Sequence, residues 1–211
     1  MAQTKTPRHR PPQFDLVGGS VPLDFINTLD DRFTSEPKEL LKSYADLARF
    51  AEDTRILEPP EAGHFSHLSQ QSPREAERAL RAAIELREAM FEVIWAIVRH
   101  KAVPRTALRK LNEYLQRSAQ HSSLVQAKEK FEWRFNVTPD NFEAPLWPIA
   151  RAAAELLSSD HLEFVRACAS ETCQWLFLDL SKNHRRRWCD MTKCGNRAKV
   201  RSFYARQKKN G

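Results

Sequence analysis

Four cysteines are the only residues in this chain whose number and spacing prescribe a chemistry outright. Cys168 and Cys173 form one pair and Cys189 and Cys194 another, with four residues inside each pair and fifteen between the pairs. Two knuckles of two thiols supply the ligands of one tetrahedral zinc ion. The alternative is a pair of disulfides, which belongs to small secreted domains in an oxidising compartment. Met1 to Pro12 is polar and basic with no apolar segment, so no signal peptide is expected. The expected location is cytoplasmic, where reduced, paired cysteines favour metal. Four thiolates close the coordination sphere, whereas catalytic zinc keeps a position open for water. The expected role is therefore structural: one Zn2+ supplies folding free energy that a small module cannot draw from its own core.

The charges around those cysteines point to a partner. The chain carries 34 lysines and arginines against 27 aspartates and glutamates, a net charge of +7. Asp160 to Gly211 holds twelve basic and five acidic residues, which is the whole of that excess. From Ser181 onward eleven basic residues face Asp190 alone. A zinc with four thiolates adds about −2 and does not cancel them. A concentrated positive surface on a zinc module is the footprint of a polyanion binder, with DNA the expected partner. Arg185, Arg186 and Arg187 lie just before the second cysteine pair. Lys193, Asn196, Arg197, Lys199, Arg201 and Arg206 lie around and beyond its last member, where the proline-free run from Gly195 to Lys208 predicts a helix. Lysine and arginine on phosphates give affinity without sequence choice. Asn196, Arg197 and Arg201 are the residues best suited to read bases. Phe203 is expected to pack on the module, and Trp188 to anchor its core, with base stacking as the alternative. One small finger has a small footprint, so a homodimer at two half-sites is a natural expectation.

These residues carry a resemblance. The run Cys189-Asp-Met-Thr-Lys-Cys194-Gly195-Asn196-Arg197 resembles the signature of the CGNR zinc-finger family, and Phe177 to Asn183 and Arg186-Arg187-Trp188 are similar to it too. Gly18-Gly19-Ser-Val-Pro-Leu23-Asp24-Phe25-Ile-Asn27-Thr28 resembles the opening of the ABATE domain that usually precedes this finger. The resemblance implies a bacterial transcription regulator related to stress response, with the finger as its DNA-binding part.

The remaining chain must position these groups. Its length and 41% hydrophobic content suit one medium domain and one small module, and no apolar run approaches the roughly 18 residues a membrane span needs. The predicted division is a disordered arm over 1–12, a helical domain with possible ligand sensing over 13–159 and the zinc finger over 160–211. Phe14 to Val17 reads as a strand entering a turn at Gly18-Gly19, and Ser20 and Pro22 as a helix start. A helix is predicted from Thr34 or Ser35 to about Arg55, a break at Pro59-Pro60 and Gly63, and the longest helix from Ser72-Pro73 to about His100. Leu80, Ala83, Ile84, Arg87, Phe91, Ile94 and Val98 form its inward stripe. Further helices are predicted over Arg105–Ser118 and Pro148–Ser158. Phe131 to Val137 alternates like a half-buried strand. In the finger, strands from Leu162 and from Gln174 with a final helix give a treble-clef-like arrangement, so the fold class is mainly α.

Asp24, Asn27 and Arg87 form a candidate ligand pocket for a small-molecule effector. A guanidinium on an apolar stripe is costly unless paired. Three readings stand: Arg87 at the stripe's edge, Arg87 paired with a carboxylate (Asp24 first), or Arg87 holding an anionic ligand. Asp24 and Asn27 either satisfy neighbouring backbone or line that pocket. No nucleophile–base motif, phosphate loop or open metal site is present in the sequence, so an enzyme is not expected. Two other classes compete with a DNA-binding regulator. One is an RNA-binding module, with exposed Trp175 or Tyr204 stacking on bases; the other is a protein-interaction adaptor with a structural finger.

Overall fold

The computed structural model describes residues 14–136, 138 and 140–210; the arm expected over 1–12 lies outside them. Phe14 to Val17 forms no strand, and Gly18 leads into a short helix, α1 (Val21–Ile26), whose residues from Pro22 onward are all buried. Pro22 sits in its first turn, where a missing N–H leaves no helical bond unmade. Two-residue strands β1 (Leu29–Asp30) and β2 (Lys38–Glu39) then pair antiparallel.

The next helix starts later than the sequence suggests. α2 (Tyr44–Asp53) begins at a reciprocal capping box. The Asp46 N–H donates to the Ser43 hydroxyl and the Ser43 N–H to the Asp46 carboxylate. Pro59-Pro60 does not break the chain; it opens α3 (Pro59–Gln71), since both prolines fall in a first turn that needs no backbone donor. His64 and His67 lie exposed on α3.

α4 (Pro73–Val98) is the longest element and touches α1, α2, α3, α5 (Arg105–Gln120) and α6 (Leu146–Leu157). Its deepest line is Ala76, Ala79, Ala83, Leu86, Met90 and Ile94. Leu80, Ile84, Phe91 and Val98, expected inside, are half-buried, because the alanines let neighbouring helices approach closest on their side. Arg87 is therefore central rather than at the edge, and only 1% exposed.

Between α5 and α6, β3 (Ser122–Ala127) and β4 (Lys130–Phe135) form a hairpin of six residue pairs. β4 is not half-buried as its alternation suggests: it is exposed up to Arg134, and Phe131 is 66% exposed. The Arg151 guanidinium lies 4.0 Å over the Trp133 ring and ties the hairpin to α6.

A 3-10 turn over 160–164 takes the place of the strand expected there and leads into β5 (Val165–Ala167), which pairs with β6 (Leu176–Leu178). Strand alternation splits the loyalties of this hairpin. Val165, Leu176 and Leu178 join the main core, whereas Phe177 faces a second cluster built on the cysteines. A π turn over Met191–Gly195 then runs into α7 (Asn196–Asn210). No helix among the described residues is long and apolar enough to cross a membrane.

Candidate metal centre and nucleic-acid interface

The first cysteine pair sits at the tip of the β5–β6 hairpin. The Cys168 N–H donates to the Trp175 carbonyl at 2.8 Å, and the Cys173 N–H to the Ser170 carbonyl at 3.2 Å. The second pair is set by the π turn, whose N-cap Asp190 accepts from the Thr192 N–H and hydroxyl. Gly195 lets the Met191 side chain fold over it: a Cβ there would come within 2.9 Å of the Met191 sulfur and push that exposed side chain aside.

All four sulfurs are buried and lie within 4.8 Å of one another. Cys173 and Cys189 are 3.6 Å apart, Cys189 and Cys194 3.8 Å. Sulfurs about 2.3 Å from a tetrahedral zinc are about 3.8 Å apart, so the donor set fits. Left to themselves, Cys168, Cys173 and Cys189 do not ionise together. Hydrogen bonds from Cys173 and Cys189 pull the Cys168 thiol far down, while bonding to Cys168, followed by burial, pushes Cys173 and Cys189 up. A divalent cation reverses this by deprotonating the thiols it binds. The four cysteines form the site of one structural Zn2+.

The structure sorts the cations into engaged and free. The Arg197 guanidinium donates to the Cys194 sulfur at 3.1 Å, a bond that raises its own pKa. Lys193 pairs with Asp15, which holds its ammonium above the ordinary range. The Asn196 amide donates to the Thr192 carbonyl at 3.0 Å. Arg186 donates to the Cys189 carbonyl at 2.6 Å and lies 4.8 Å over the Phe177 ring. Arg187 rests 5.3 Å from the Trp188 ring, with its head group exposed. Arg185, Lys199 and Arg201 are exposed and have no ion pair or hydrogen bond among the described residues, and Lys182 joins them although the sequence reading left it out. The side chain of Arg206 lies outside the described residues.

Sequence reasoning also missed what shapes the arginine loop. Asp179 is fully buried and its carboxylate accepts from the Ser181 N–H and hydroxyl and from the Arg186 N–H. Burial opposes its ionisation, but these bonds prevail and hold its carboxyl below the usual range. The signal was present as Asp-x-Ser, a common local turn. Thus the loop is pre-formed, with Arg186 turned inward and Lys182, Arg185 and Arg187 outward. It encloses a concavity of about 520 Å3 with no acidic residue among its walls. A separate groove of about 740 Å3 runs beside the cysteine cluster, where Lys193, Arg197 and Arg201 meet Asp15, Asp30 and Asp190. The loop is the more favourable of the two for a polyanion.

Aromatic residues differ from expectation. Phe203 does not pack on the finger: it is 52% exposed and Tyr204 60%, because α7 extends past the module. Trp175 is half-buried against the cysteine cluster with Trp188.

Asp24, Asn27 and Arg87 are each bound to a different partner. Arg87 pairs with Glu39, not with Asp24. The Asn27 amide is bound to the Leu176 backbone. The Asp24 carboxylate accepts from the Gly18 N–H at 2.7 Å, and burial pushes its pKa up to about 6, partly offset by that bond. A carboxyl with a raised folded pKa weakens the fold above pH 6 and relieves that penalty as pH falls toward 4. Asp24→Asn keeps an acceptor for Gly18 and removes the charge. It is expected to be more stable than the parent at pH 7.5 by about 2 kcal/mol, and this advantage is expected to shrink by about 1 kcal/mol at pH 5. Paired thermal melts at both pH values check this.

The model of the ABATE family, described as "Putative stress-induced transcription regulator", matches residues 19–160. That of the CGNR zinc finger matches residues 165–207. No curated protein matches the chain.

Proposed function

Because the chain belongs to the ABATE family and carries a CGNR zinc finger, we propose that it is a non-enzymatic transcription regulator whose finger binds duplex DNA and whose helical domain senses a signal. The observation that carries this reading is the set of exposed, unpaired cations on a pre-formed loop, Lys182 and Arg185 with Arg187 beside them. They present positive charge with no carboxylate to compete for it, as phosphate contacts require. Lys199 and Arg201 add exposed positive charge on α7. A finger docked directly on α1 gives the sensing half a mechanical route to the reading half, and two copies at two half-sites would enlarge the footprint.

Lys182/Arg185/Arg187→Ala tests the reading. The triple variant is expected to keep its zinc, because none of the three heads binds the cysteine cluster. Its plot of log affinity for duplex DNA against log salt should flatten by up to about 2.7 units. An unchanged slope would remove the loop from the interface. The exposed Phe203 and Tyr204 favour a second reading, a single-stranded RNA binder that stacks bases on α7.

A further inference from the structure

The β5–β6 hairpin that carries the first cysteine pair has an open edge along β6, and the N-terminal segment covers it. Asn27 is 149 residues away in sequence and 3% exposed. Its Oδ1 accepts from the Leu176 N–H at 3.0 Å, and its Nδ2 donates to the Leu176 carbonyl at 2.9 Å. One side-chain amide thus makes both bonds that a neighbouring strand would make. Two residues on, the Leu178 N–H donates to the Gly18 carbonyl at 2.8 Å. Gly18 is itself fixed from its other side by Asp24, and a Cβ there would come within 2.8 Å of the Asp24 carboxylate. The clamped residue adjoins Trp175, whose carbonyl accepts from the Cys168 N–H, and lies three positions after Cys173.

We propose that Asn27 is a positioning residue of the metal centre: through the Leu176 backbone it holds the first knuckle in the geometry that places Cys168 and Cys173 against Cys189 and Cys194. The physical reason is burial. Leu176 is 0% exposed, so its N–H and carbonyl have no water to turn to once the amide is removed. The strand then shifts to find partners, and the cysteine spacing shifts with it. Groups that orient metal ligands from outside typically change metal affinity by about 10–100-fold when lost. The coupling is reciprocal, so zinc in turn stabilises the packing of α1 on β6.

The test is zinc affinity of the full chain by competition with a chromophoric chelator. Asn27→Leu, close in size but unable to bond, is expected to hold zinc about 10–100-fold more weakly. Leu111→Ala serves as the control, since Leu111 is buried in α5, which packs on α4 and α6, and its loss lowers stability without removing a bond of the clamp. It should leave the affinity within about twofold, well short of the loss seen for a group that orients a ligand. Unchanged zinc affinity in Asn27→Leu overturns the proposal, and so does an equal loss in Leu111→Ala, which would make the effect one of general stability. Should Asn27→Leu fail to fold, amide exchange on the parent protein decides. Chelation is expected to speed exchange at Leu176, Leu178 and within 21–26; protection in 21–26 that ignores the metal contradicts the clamp.

Discussion

Cys189→Ser is expected to weaken zinc binding by at least a hundredfold and to lower the melting temperature of the whole chain, not of the C-terminal module alone. Cys189 lies 3.6 Å from Cys173 and 3.8 Å from Cys194, so its loss removes one vertex of the sulfur tetrahedron and opens three of its edges. Structural zinc contributes about 10–16 kcal/mol in isolated fingers, or about 3 kcal/mol per ligand if shared equally. The spread into the helical domain follows from the shared core: Val165, Leu176 and Leu178 are buried with residues of α1, α4 and α6. Metal analysis after dialysis and a circular-dichroism melt read both effects. A variant that keeps stoichiometric zinc, or one that loses it with the helical domain melting unchanged, would contradict the coupling.

The second large effect is expected at Arg87. Its Nη1 and Nη2 donate to the two Glu39 oxygens at 2.7 Å each, its Nε donates to Glu88 at 2.9 Å, and Nη1 also reaches the Thr28 hydroxyl at 3.2 Å. Glu39 in turn accepts from the Leu41 N–H, and Glu88 pairs with Arg32, so one guanidinium ties α4 to the β1–β2 hairpin and the chain after it. Arg87→Ala removes the most deeply buried cation of this network and leaves a cavity beside two carboxylates. Glu39 and Glu88 are about one-third exposed and can hydrate once the guanidinium is gone, so a cost of about 3 kcal/mol is expected, the low end for breaking a buried pair from one side. That corresponds to a melting temperature lower by roughly 10 °C for a chain of this size. Arg87→Met/Glu39→Leu should recover much of the loss, because an apolar pair of similar volume owes nothing for desolvation. A double variant no better than Arg87→Ala would mean that bonds to Thr28 and Glu88 carry the effect instead.

The metal site was legible in the sequence because zinc ligation is written in residue type and local spacing, which survive without knowledge of the fold. The same holds for α4 and α7 as helices. Partners separated by long stretches of chain were not legible. Glu39 meets Arg87 from a strand of two residues, too short to leave a period, so Asp24 looked the better partner. Asn27 bonds backbone atoms, and any residue at position 176 would offer the same groups. Thr34 and Ser35 resemble a cap as much as Ser43 does, but only Ser43 has Asp46 three residues on to complete the box at which α2 begins. Pro59-Pro60 suggests a break, yet its position, directly after Glu58 with Glu61 to close the box, marks a beginning. Within the arginine run, residue type alone could not separate Arg186, bound to the Cys189 carbonyl, from Arg185, which is free. Only the buried Asp179 turn decides which way each one points.

The most direct measurement is binding of the zinc-loaded full chain to a duplex DNA of mixed sequence and to a single-stranded RNA of the same length, across salt from about 50 to 200 mM. Contacts to several phosphates predict duplex affinity that falls steeply over that range, by about tenfold or more, with RNA the weaker ligand. Absent binding, binding indifferent to salt, or a preference for the RNA would contradict a finger that reads duplex DNA.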